Sequence, residues 1–268
     1  MCASDQIRFE PSAPALQRLS ARFGGHAYDL HRHETYAVGL TLWGAQSFHY
    51  RGELRTSAAG QVMVIHPDEA HDGHATVDAG FAYRMLYVDP AAVSAALGGT
   101  PPPFVRDVVA DDEALTGLLR EAFAHFPQAL EPIAVDAIVA RLAELLAARG
   151  DRAPKRPAAK TAYRAAERAR DFLKAEAPRI VASEELEQVS GLDRFALSRH
   201  FRAAFGTSPH RFQVGQRLVK AQALIASGTP LSETAAATGF ADQSHLTRHF
   251  SARFGLTPGR WASLSRAG

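Results

Sequence analysis

The chain has 268 residues, of which 46% are hydrophobic and 22% are charged. This is the composition of an ordinary globular protein, and the length allows two domains that each have a core. No apolar run reaches the roughly 18 residues of a membrane span, and the N-terminus lacks a charged-then-apolar signal pattern. The single cysteine, Cys2, excludes an internal disulfide and fits a reducing cytosol. We therefore expect a cytoplasmic protein without membrane contact.

The formal net charge of +2 conceals an asymmetry between two parts of the chain. Residues 1–159 carry 14 Lys/Arg and 19 Asp/Glu, whereas residues 160–268 carry 16 Lys/Arg and 9 Asp/Glu. A basic part beside an acidic part indicates a polyanionic partner for the basic part alone. Chance surface imbalances of this size are common, so charge by itself does not assign a function.

Residues 26–88 have the pattern of β-strands. The stretches YAVGLTLWG, QSFHYRG, QVMVIHP and FAYRMLYVD favour strands and are separated by Gly, Pro and Asp turns, at the short spacing of a sandwich or barrel. After Pro90 the pattern becomes helical. We predict a short helix in AAVSAALGG and two longer helices near 111–125 and 131–148, each ended or preceded by turn residues.

A change of composition divides the chain after this region. The segment GDRAPKRPAAKTA, residues 150–162, has no apolar period and lies where the sign of the charge changes. It predicts a linker between a domain at 1–149 and a domain at 163–268. The second domain is expected to be all-helical, with Ser183, Asp193 and Asp242 preceding helices as N-caps. The predicted helices are 163–177, 184–190, 194–205, 209–226, 232–238 and 243–254.

A repeated unit occurs within the helical part. GLDRFALSRHF and GFADQSHLTRHF align at a constant offset of 49 residues, and the agreement continues to a shared Phe-Gly and a shared Pro. Each repeat has a short helix, a glycine, a turn, an Asp cap and a second helix, which is the helix-turn-helix pattern. In the second helix of the first repeat, Leu197, Phe201 and Phe205 form one apolar stripe, and the second repeat has the same stripe.

The opposite face of each second helix carries residue types that suit a DNA major groove. Arg can bind guanine with two hydrogen bonds, Gln can bind adenine, and Ser or Thr adapts to either base. A helix N-terminus also favours a nearby phosphate. The candidate DNA-contacting residues are Phe195, Ser198, Arg199 and Arg202 in the first repeat, and Gln243, Ser244, His245, Thr247 and Arg248 in the second.

The segment between the repeats explains their separation. PHRFQVGQRLVKAQALIAS has an apolar stripe and predicts one helix of about 18 residues, which is roughly 27 Å long. Successive major grooves on one face of DNA lie roughly 34 Å apart. A stiff helix of this length could place both second helices in adjacent grooves, so that one chain binds as a dimer usually does.

Residues 163–262 resemble the double helix-turn-helix DNA-binding domain of the AraC/XylS family of bacterial transcription regulators. The second repeat, LSETAAATGFADQSHLTRHFSARFGLTPGRW, follows that family's signature closely. The resemblance implies double-stranded DNA and RNA polymerase as partners, transcriptional activation, and dimerisation through the helices near 111–125 and 131–148. These helices have a simpler alternative role as a cap on the barrel. Phe195 departs from the polar residue expected at its position, and it would contact a thymine methyl or the backbone.

Two histidine-bearing stretches, HRHETYAVGLTLWG and GQVMVIHPDEAH, resemble the two motifs of a cupin barrel, which this family often carries in front. His31 and His33 are one residue apart on a strand, so they point to the same face, and His71 adds a third imidazole. Metal-binding cupins have a glutamate shortly after the second histidine, and Ala37 occupies that position here.

Three interpretations of the front barrel remain open. In the first, the barrel is a small-molecule pocket, with His31, His33 and His71 as polar contacts and Tyr36 and Trp43 as aromatic walls. In the second, it holds a metal on the three histidines and water. In the third, the histidines have only a structural role. The first is favoured, with no cofactor expected.

Together these patterns predict a multi-domain α+β chain, with an N-terminal cupin-like β-barrel and following helices before an all-α domain with two helix-turn-helix motifs. Its expected function is effector-controlled transcription regulation. No nucleophile motif, phosphate loop or dinucleotide fingerprint suggests an enzyme. The alternatives are a metal-dependent cupin enzyme fused to a DNA-binding domain and a dimeric regulator that needs no ligand.

Overall fold

The computed structural model describes residues 5–13, 15–150 and 160–266. The first two segments fold into antiparallel sheets with associated helices, and we call them the β-domain. The third segment is all-helical, and we call it the helical domain. This is the multi-domain α+β architecture that the sequence predicts. Within the described residues, no helix is both long and apolar enough to cross a bilayer.

The β-domain has two antiparallel layers that share strand β4. The larger layer has the order β1-β2-β8-β4-β6-β9, and the second runs β3-β7-β4-β5. The strands are β1 Gln6–Ala13, β2 Leu16–Phe23, β3 His26–His31, β4 Tyr36–Tyr50, β5 Glu53–Ala58, β6 Val62–Ile65, β7 His71–Ala75, β8 Phe81–Val88 and β9 Val109–Ala110.

Strand β4 corrects the sequence-based expectation of separate strands at YAVGLTLWG and QSFHYRG. It is one strand of 15 residues that passes from the first layer to the second at Gly44. Gly44 has φ +70°, and a Cβ there would lie 2.0 Å from the carbonyl oxygen of Gly80. Only glycine fits this bend. In the sequence Gly44 suggests a turn between two strands, but in the structure it allows one continuous strand to bend.

Strands β1 and β2 precede residue 26, where no strands were predicted. Their alternation is hidden because Arg18, a charged residue, is fully buried on β2. Its Nε donates to Oε2 of Glu10 at 2.7 Å, and its guanidinium also donates to the carbonyl of Ala122. A buried charge needs such partners, and a polar residue at a core position disguises the strand pattern.

The described part of the β-domain also contains three helices: α1 Pro90–Ala96, which precedes β9, and then α2 Glu113–Ala122 and α3 Pro132–Arg149. Apolar residues of α2 and α3, such as Leu119 and Leu142, form one core with Val38 and Leu86 of the sheet. The two longer helices thus cover one face of the sheet, as the capping interpretation expects. Whether they also form a dimer contact stays a prediction.

The helical domain contains the double helix-turn-helix arrangement. The helices predicted at 194–205, 209–226 and 243–254 have those bounds in the structure. The elements are α4 Lys160–Ala175, α5 Ser183–Ser190, α6 Arg194–Phe205, α7 Pro209–Ala226, α8 Leu231–Ala237, α9 Gln243–Phe254 and α10 Pro258–Arg266.

The other predicted helices of this domain, 163–177, 184–190 and 232–238, have bounds that differ from the structure by one to three residues. Helix α4 begins at Lys160, inside the predicted linker 150–162, of which residues 151–159 lie outside the described residues. The N-cap of α5 is Ala182 and not Ser183, because the Glu185 carboxylate accepts the free N–H of Ala182 at 2.9 Å. A side chain from within the helix therefore supplies the cap that the sequence assigned to serine.

A recognition face and an interdomain cavity

The second helix of each repeat begins and ends in the same way. Asp193 accepts hydrogen bonds from the N–H groups of Phe195 and Ala196 at 3.0 and 2.9 Å, and Asp242 accepts one from His245 at 2.7 Å. These caps satisfy N–H groups that lack partners inside the helix. The helices α6 and α9 end at glycines with φ +72° and +65°, as left-handed C-caps commonly do.

The candidate DNA-contacting residues lie on the side of α6 and α9 away from the apolar stripe. None is fully buried: Phe195, Arg199, Arg202, Gln243, Ser244 and Arg248 are exposed, and Ser198, His245 and Thr247 are half-buried. Among the described residues, Arg199, Arg202 and Arg248 make no hydrogen bond or ion pair that would tie up their guanidinium groups. These donors are therefore free for an external acceptor, although the DNA contact itself stays a prediction.

His245 differs from the other candidate residues because its ring packs on its own helix. Its Nδ1 accepts from the N–H of Ala241 at 3.2 Å, and its ring centroid lies 4.7 Å from that of His249. The ring also contacts Phe240 edge to face. Only Nε2 of His245 remains for a further contact.

The C-terminal ends of both second helices lie against the β-domain. The carbonyls of Gly255 and Ala252 accept from the N–H groups of Asp29 and Arg32 at 2.9 and 3.1 Å. These are carbonyls that a helix end leaves unpaired. A Cβ on Gly255 would lie 2.8 Å from Nδ1 of His31. In the first repeat, a Cβ on Gly206 would lie 2.9 Å from Cβ of Pro67.

Ion pairs between the domains follow the charge asymmetry of the sequence. Four such pairs join the described parts of the two domains, and each has its carboxylate on the β-domain and its cation on the helical domain: Glu34–Arg253, Asp68–Arg211, Asp5–Arg260 and Asp89–Lys174. Part of the positive charge of the helical domain is therefore opposed by the chain's own acidic domain.

A small cavity lies where α9 and α10 meet the open edge of the β-domain. Its volume is about 30 Å³, and residues of both domains line it. The lining from the β-domain is Phe9, Gln17, Leu19, Tyr28, His31, His33, Thr35 and Tyr87, and the lining from the helical domain is Gln222, Arg253, Phe254 and Trp261.

The three histidines singled out in the sequence come together beside this cavity. The ring of His71 lies 4.1 Å from that of His31 and 4.9 Å from that of His33, centroid to centroid. Burial lowers the pKa of His31 and His33 well below the usual range, and it lowers the pKa of His71 to about 4. All three imidazoles are therefore neutral near pH 7.

Each of the three rings has one nitrogen bonded to the backbone. Nδ1 lies 2.9 Å from the Asp29 carbonyl in His31, 2.9 Å from the Thr35 carbonyl in His33 and 3.0 Å from the Glu69 carbonyl in His71. A carbonyl only accepts, so each neutral ring carries its proton on Nδ1. In His33 the other nitrogen, Nε2, is buried without a hydrogen-bond partner among the described residues.

Tyr36 and Trp43 do not line the cavity, which corrects their predicted role. Tyr36 shares the outward face of β4 with Val38 and is buried against the helices, where its hydroxyl donates to the Pro103 carbonyl. Trp43 is 40% exposed and lies under the guanidinium of Arg22. The aromatic walls come instead from Tyr28, Tyr87, Phe254 and Trp261, and the last two belong to the other domain.

The comparisons identify the class of this molecule. A β-domain that shares a cavity with a double helix-turn-helix domain defines a DNA-binding regulator with a ligand-binding domain. The profile of the AraC-like ligand binding domain matches residues 13–146, and that of a helix-turn-helix domain matches residues 186–263. The chain belongs to the AraC family of transcriptional regulators, which are not enzymes.

Individual relatives agree with this assignment. The chain is 22% identical over 238 residues to the HTH-type transcriptional regulator YbfI of Bacillus subtilis strain 168, covering 87% of this chain and 86% of that one. ToxT of Vibrio cholerae superposes with a TM-score of 0.68 at 10% identity, covering 93% of this chain and 98% of ToxT. A second ToxT structure, with an unsaturated fatty acid bound, gives 0.65 at 11% identity, covering 94% and 96%. These structural similarities show the fold across both domains.

Proposed function

We propose that this chain is a cytoplasmic, sequence-specific transcriptional activator that places α6 and α9 in adjacent major grooves of one duplex. A small molecule bound in the interdomain cavity controls it. The observation that carries the proposal is that Arg253 and Phe254, at the end of the recognition helix α9, form walls of this cavity. A ligand there contacts the sensing domain and the DNA-contacting helix together.

The contact with DNA rests on the faces of α6 and α9. Their C-terminal ends face the β-domain, and their N-terminal halves carry exposed polar side chains. Arg199 and Arg248 would bind guanine edges, and Gln243 an adenine. Ser198, Ser244, His245 and Thr247 would adapt to either base or to phosphate, Arg202 would bind phosphate, and Phe195 would contact a thymine methyl. The 18 residues of α7 span roughly 27 Å between the repeats.

Control by the effector follows from the size of the cavity. A pocket for a small organic molecule typically measures about 300–1,000 Å³, whereas the cavity here measures about 30 Å³. An organic effector that binds in this cavity therefore has to displace its walls, of which Arg253, Phe254 and Trp261 belong to the helical domain. Effector binding then favours an arrangement with looser docking, by its differential affinity for the two states.

The partners of this regulator would be duplex DNA, the effector, RNA polymerase and a second copy of the chain. The last two rest on the resemblance to the family. Helix α3 offers a surface for dimerisation, because Ile133 on it is 75% exposed. ToxT has been solved with an unsaturated fatty acid bound, so apolar carboxylic acids belong in the first set of ligands to test.

Selection of bound DNA from a random pool, with and without a cell metabolite extract, tests the proposal. We expect an enriched site with two half-sites, and an enrichment that changes when extract is present. A site that is enriched equally in both conditions would support the alternative of a regulator that needs no ligand. No enriched sequence would contradict the function itself.

A further inference from the structure

We propose that His31, His33 and His71 form a binding site for a late first-row divalent cation, with Zn²⁺ as the ion to test first. Three imidazole Nε2 atoms would hold the ion, and a fourth coordination position would face the interdomain cavity. The inference concerns the cavity in which the proposed function places the effector. Of the three interpretations that the sequence left open for these histidines, it selects the metal site, which was not the favoured one.

The orientation of the rings is the first argument. Three separate backbone carbonyls, from Asp29, Thr35 and Glu69, bind the Nδ1 side of the three rings at 2.9–3.0 Å. Metal-binding histidines are typically held in this way, because the second nitrogen then has a fixed tautomer and a fixed direction. Here the arrangement occurs three times around one point.

The second argument is the spacing and burial of the ring nitrogens. One ring nitrogen of each histidine lies within 4.8 Å of the corresponding atoms of the other two, and all three residues are buried. Nε2 of His33 is buried without any hydrogen-bond partner in the described structure. Buried acceptors normally have a partner. A cation at this point would supply the partner that Nε2 of His33 lacks.

The ligand set selects the kind of ion. Imidazole nitrogens suit Zn²⁺, Cu²⁺, Ni²⁺ and Fe²⁺, whereas Ca²⁺ and Mg²⁺ require oxygen ligands. In the described part of the chain, no carboxylate or thiol joins the three histidines in this cluster. Around a tetrahedral ion with Zn–N distances of about 2.0–2.1 Å, the nitrogens would lie about 3.3 Å apart. Small ring movements therefore complete the site.

The cavity provides the remaining position. His31 and His33 line it, and its 30 Å³ have about the size that one or two waters need. A site with three protein ligands and one open position admits water or an anionic group of a small molecule. Arg253 also lines the cavity, and its charge is offset by the ion pair with Glu34.

The test uses the full-length chain, stripped with a chelator and dialysed. Added ZnCl₂ is followed by elemental analysis after gel filtration and by thermal melting, and CoCl₂ by the visible absorption of Co²⁺. We expect one ion per chain, a melting temperature raised by Zn²⁺, and tetrahedral Co²⁺ bands. His33→Ala and His71→Ala should each lower the affinity at least tenfold and remove the Co²⁺ bands.

Control variants separate this site from other histidines and from misfolding. His49→Ala removes an exposed histidine paired with Asp72 and should bind one ion as before. His33→Gln retains a polar side chain of similar size, so it should keep the fold, as judged by circular dichroism, and still lose the ion. Less than about one tenth of an ion per chain at saturating Zn²⁺, or an ion retained by His33→Gln and His71→Ala, would overturn the inference.

Binding to the selected DNA site, measured on the same samples, distinguishes the two proposals. A chain that binds DNA but no ion overturns the metal site and leaves the proposed function intact. A chain that binds one ion through these histidines but no DNA supports the site and contradicts the function.

Discussion

The two helix-turn-helix repeats share one fold but meet the β-domain differently. The first repeat shares an apolar core with Ala91 of α1 and approaches Pro67 at Gly206. The second repeat instead accepts two backbone hydrogen bonds, from Asp29 and Arg32, at the carbonyls of Gly255 and Ala252. The second repeat also supplies Arg253 to Glu34, at a position where the first has Ala204. The residues that match between the two repeats therefore account for their shared fold. The unmatched Arg253 belongs to the repeat that lines the cavity.

The recognition faces differ as well. Arg194 of the first repeat is held by Glu184 and Glu187, whereas the matching Gln243 of the second is exposed. Phe195, which is 71% exposed, stands where the second repeat has Ser244. We expect the second repeat to make more hydrogen bonds to bases and the first to rely more on apolar and phosphate contacts.

The largest expected effect comes from removing the charge that is specific to the second repeat. Arg253→Ala should destabilise the chain by about 3–5 kcal/mol, because it leaves the mostly buried Glu34 without a partner. Chemical denaturation measures this change. Arg253→Met combined with Glu34→Gln should recover most of it. Arg211→Ala, which breaks a more exposed pair with Asp68, should cost about 0–1 kcal/mol; equal losses for the two arginines would show that the repeats are anchored alike.

A smaller loss of stability is expected from replacing Gly255, the C-cap of α9. Gly255→Ala should cost about 2–4 kcal/mol, because φ is +65° and the new Cβ would lie within 2.9 Å of His31, Asp29 and Tyr28. Gly206→Ala meets only Pro67 and should cost less. Gly259→Ala, with open space around it, is the control and should cost nothing. Thermal melting ranks the three variants, and a larger loss at Gly206 than at Gly255 would reverse the comparison.

The next effect concerns DNA affinity and not stability. Arg248→Ala should lose about 1–3 kcal/mol of binding on the selected site and should relax the base preference at one position. Arg202→Ala should weaken binding to all sequences evenly and reduce the salt dependence by about one phosphate contact. Fluorescence anisotropy over a series of salt concentrations checks both. Unchanged DNA affinity and base preference in Arg248→Ala would contradict the placement of α9 in a major groove.

The smallest expected effect is on how the free energy of unfolding depends on pH. It involves His66, which lies next to the Pro67 that the first repeat approaches. His66 precedes Pro67 and is buried, with Nε2 accepting from the N–H of Val105 and Nδ1 bonded to the Tyr50 hydroxyl. Burial, followed by the charge of Arg51, lowers the pKa of His66 to about 4. The unfolded chain, with a histidine pKa near 6.5, therefore takes up the proton first as the pH falls.

This linkage destabilises the folded chain as the pH falls from about 6.5 towards 4. We expect His66 to account for about 1–2 kcal/mol of the loss between pH 7 and pH 5. His66→Gln should flatten the dependence of the unfolding free energy on pH by that amount. A variant with the same pH profile as the parent would mean that His66 is already protonated or exposed in the folded chain.

Local signals in the sequence predicted the helical domain well. The Asp caps, the Leu/Phe stripes and the terminal glycines each act within a few residues, so the bounds of α6, α7 and α9 follow from short-range chemistry. The same repeat also indicated the candidate recognition faces, which the structure leaves accessible.

The β-domain and the cavity were predicted less well, because they depend on contacts between residues that are far apart in the sequence. The buried charge of Arg18 concealed β2, and the corner at Gly44 looked like the end of a strand. The three histidines were found from their spacing and from the resemblance to cupin motifs. His31 and His71 are paired across β3 and β7, but His33 lies beyond the end of β3 and not, as the sequence suggested, on the same strand as His31. Phe254 and Trp261 reach the cavity only through docking of the other domain. Tyr36 was misplaced because its neighbour Ala37 faces inward and Tyr36 faces outward.

The most direct test of the account is a footprint of the chain on its selected DNA site, with single-base resolution. We predict two protected major grooves on one face, about 10–10.5 base pairs apart, for each bound chain. Arg199→Ala should remove protection in one groove and Arg248→Ala in the other. A single protected groove per chain, or the same groove lost in both variants, would contradict the claim that the two repeats bind one duplex together.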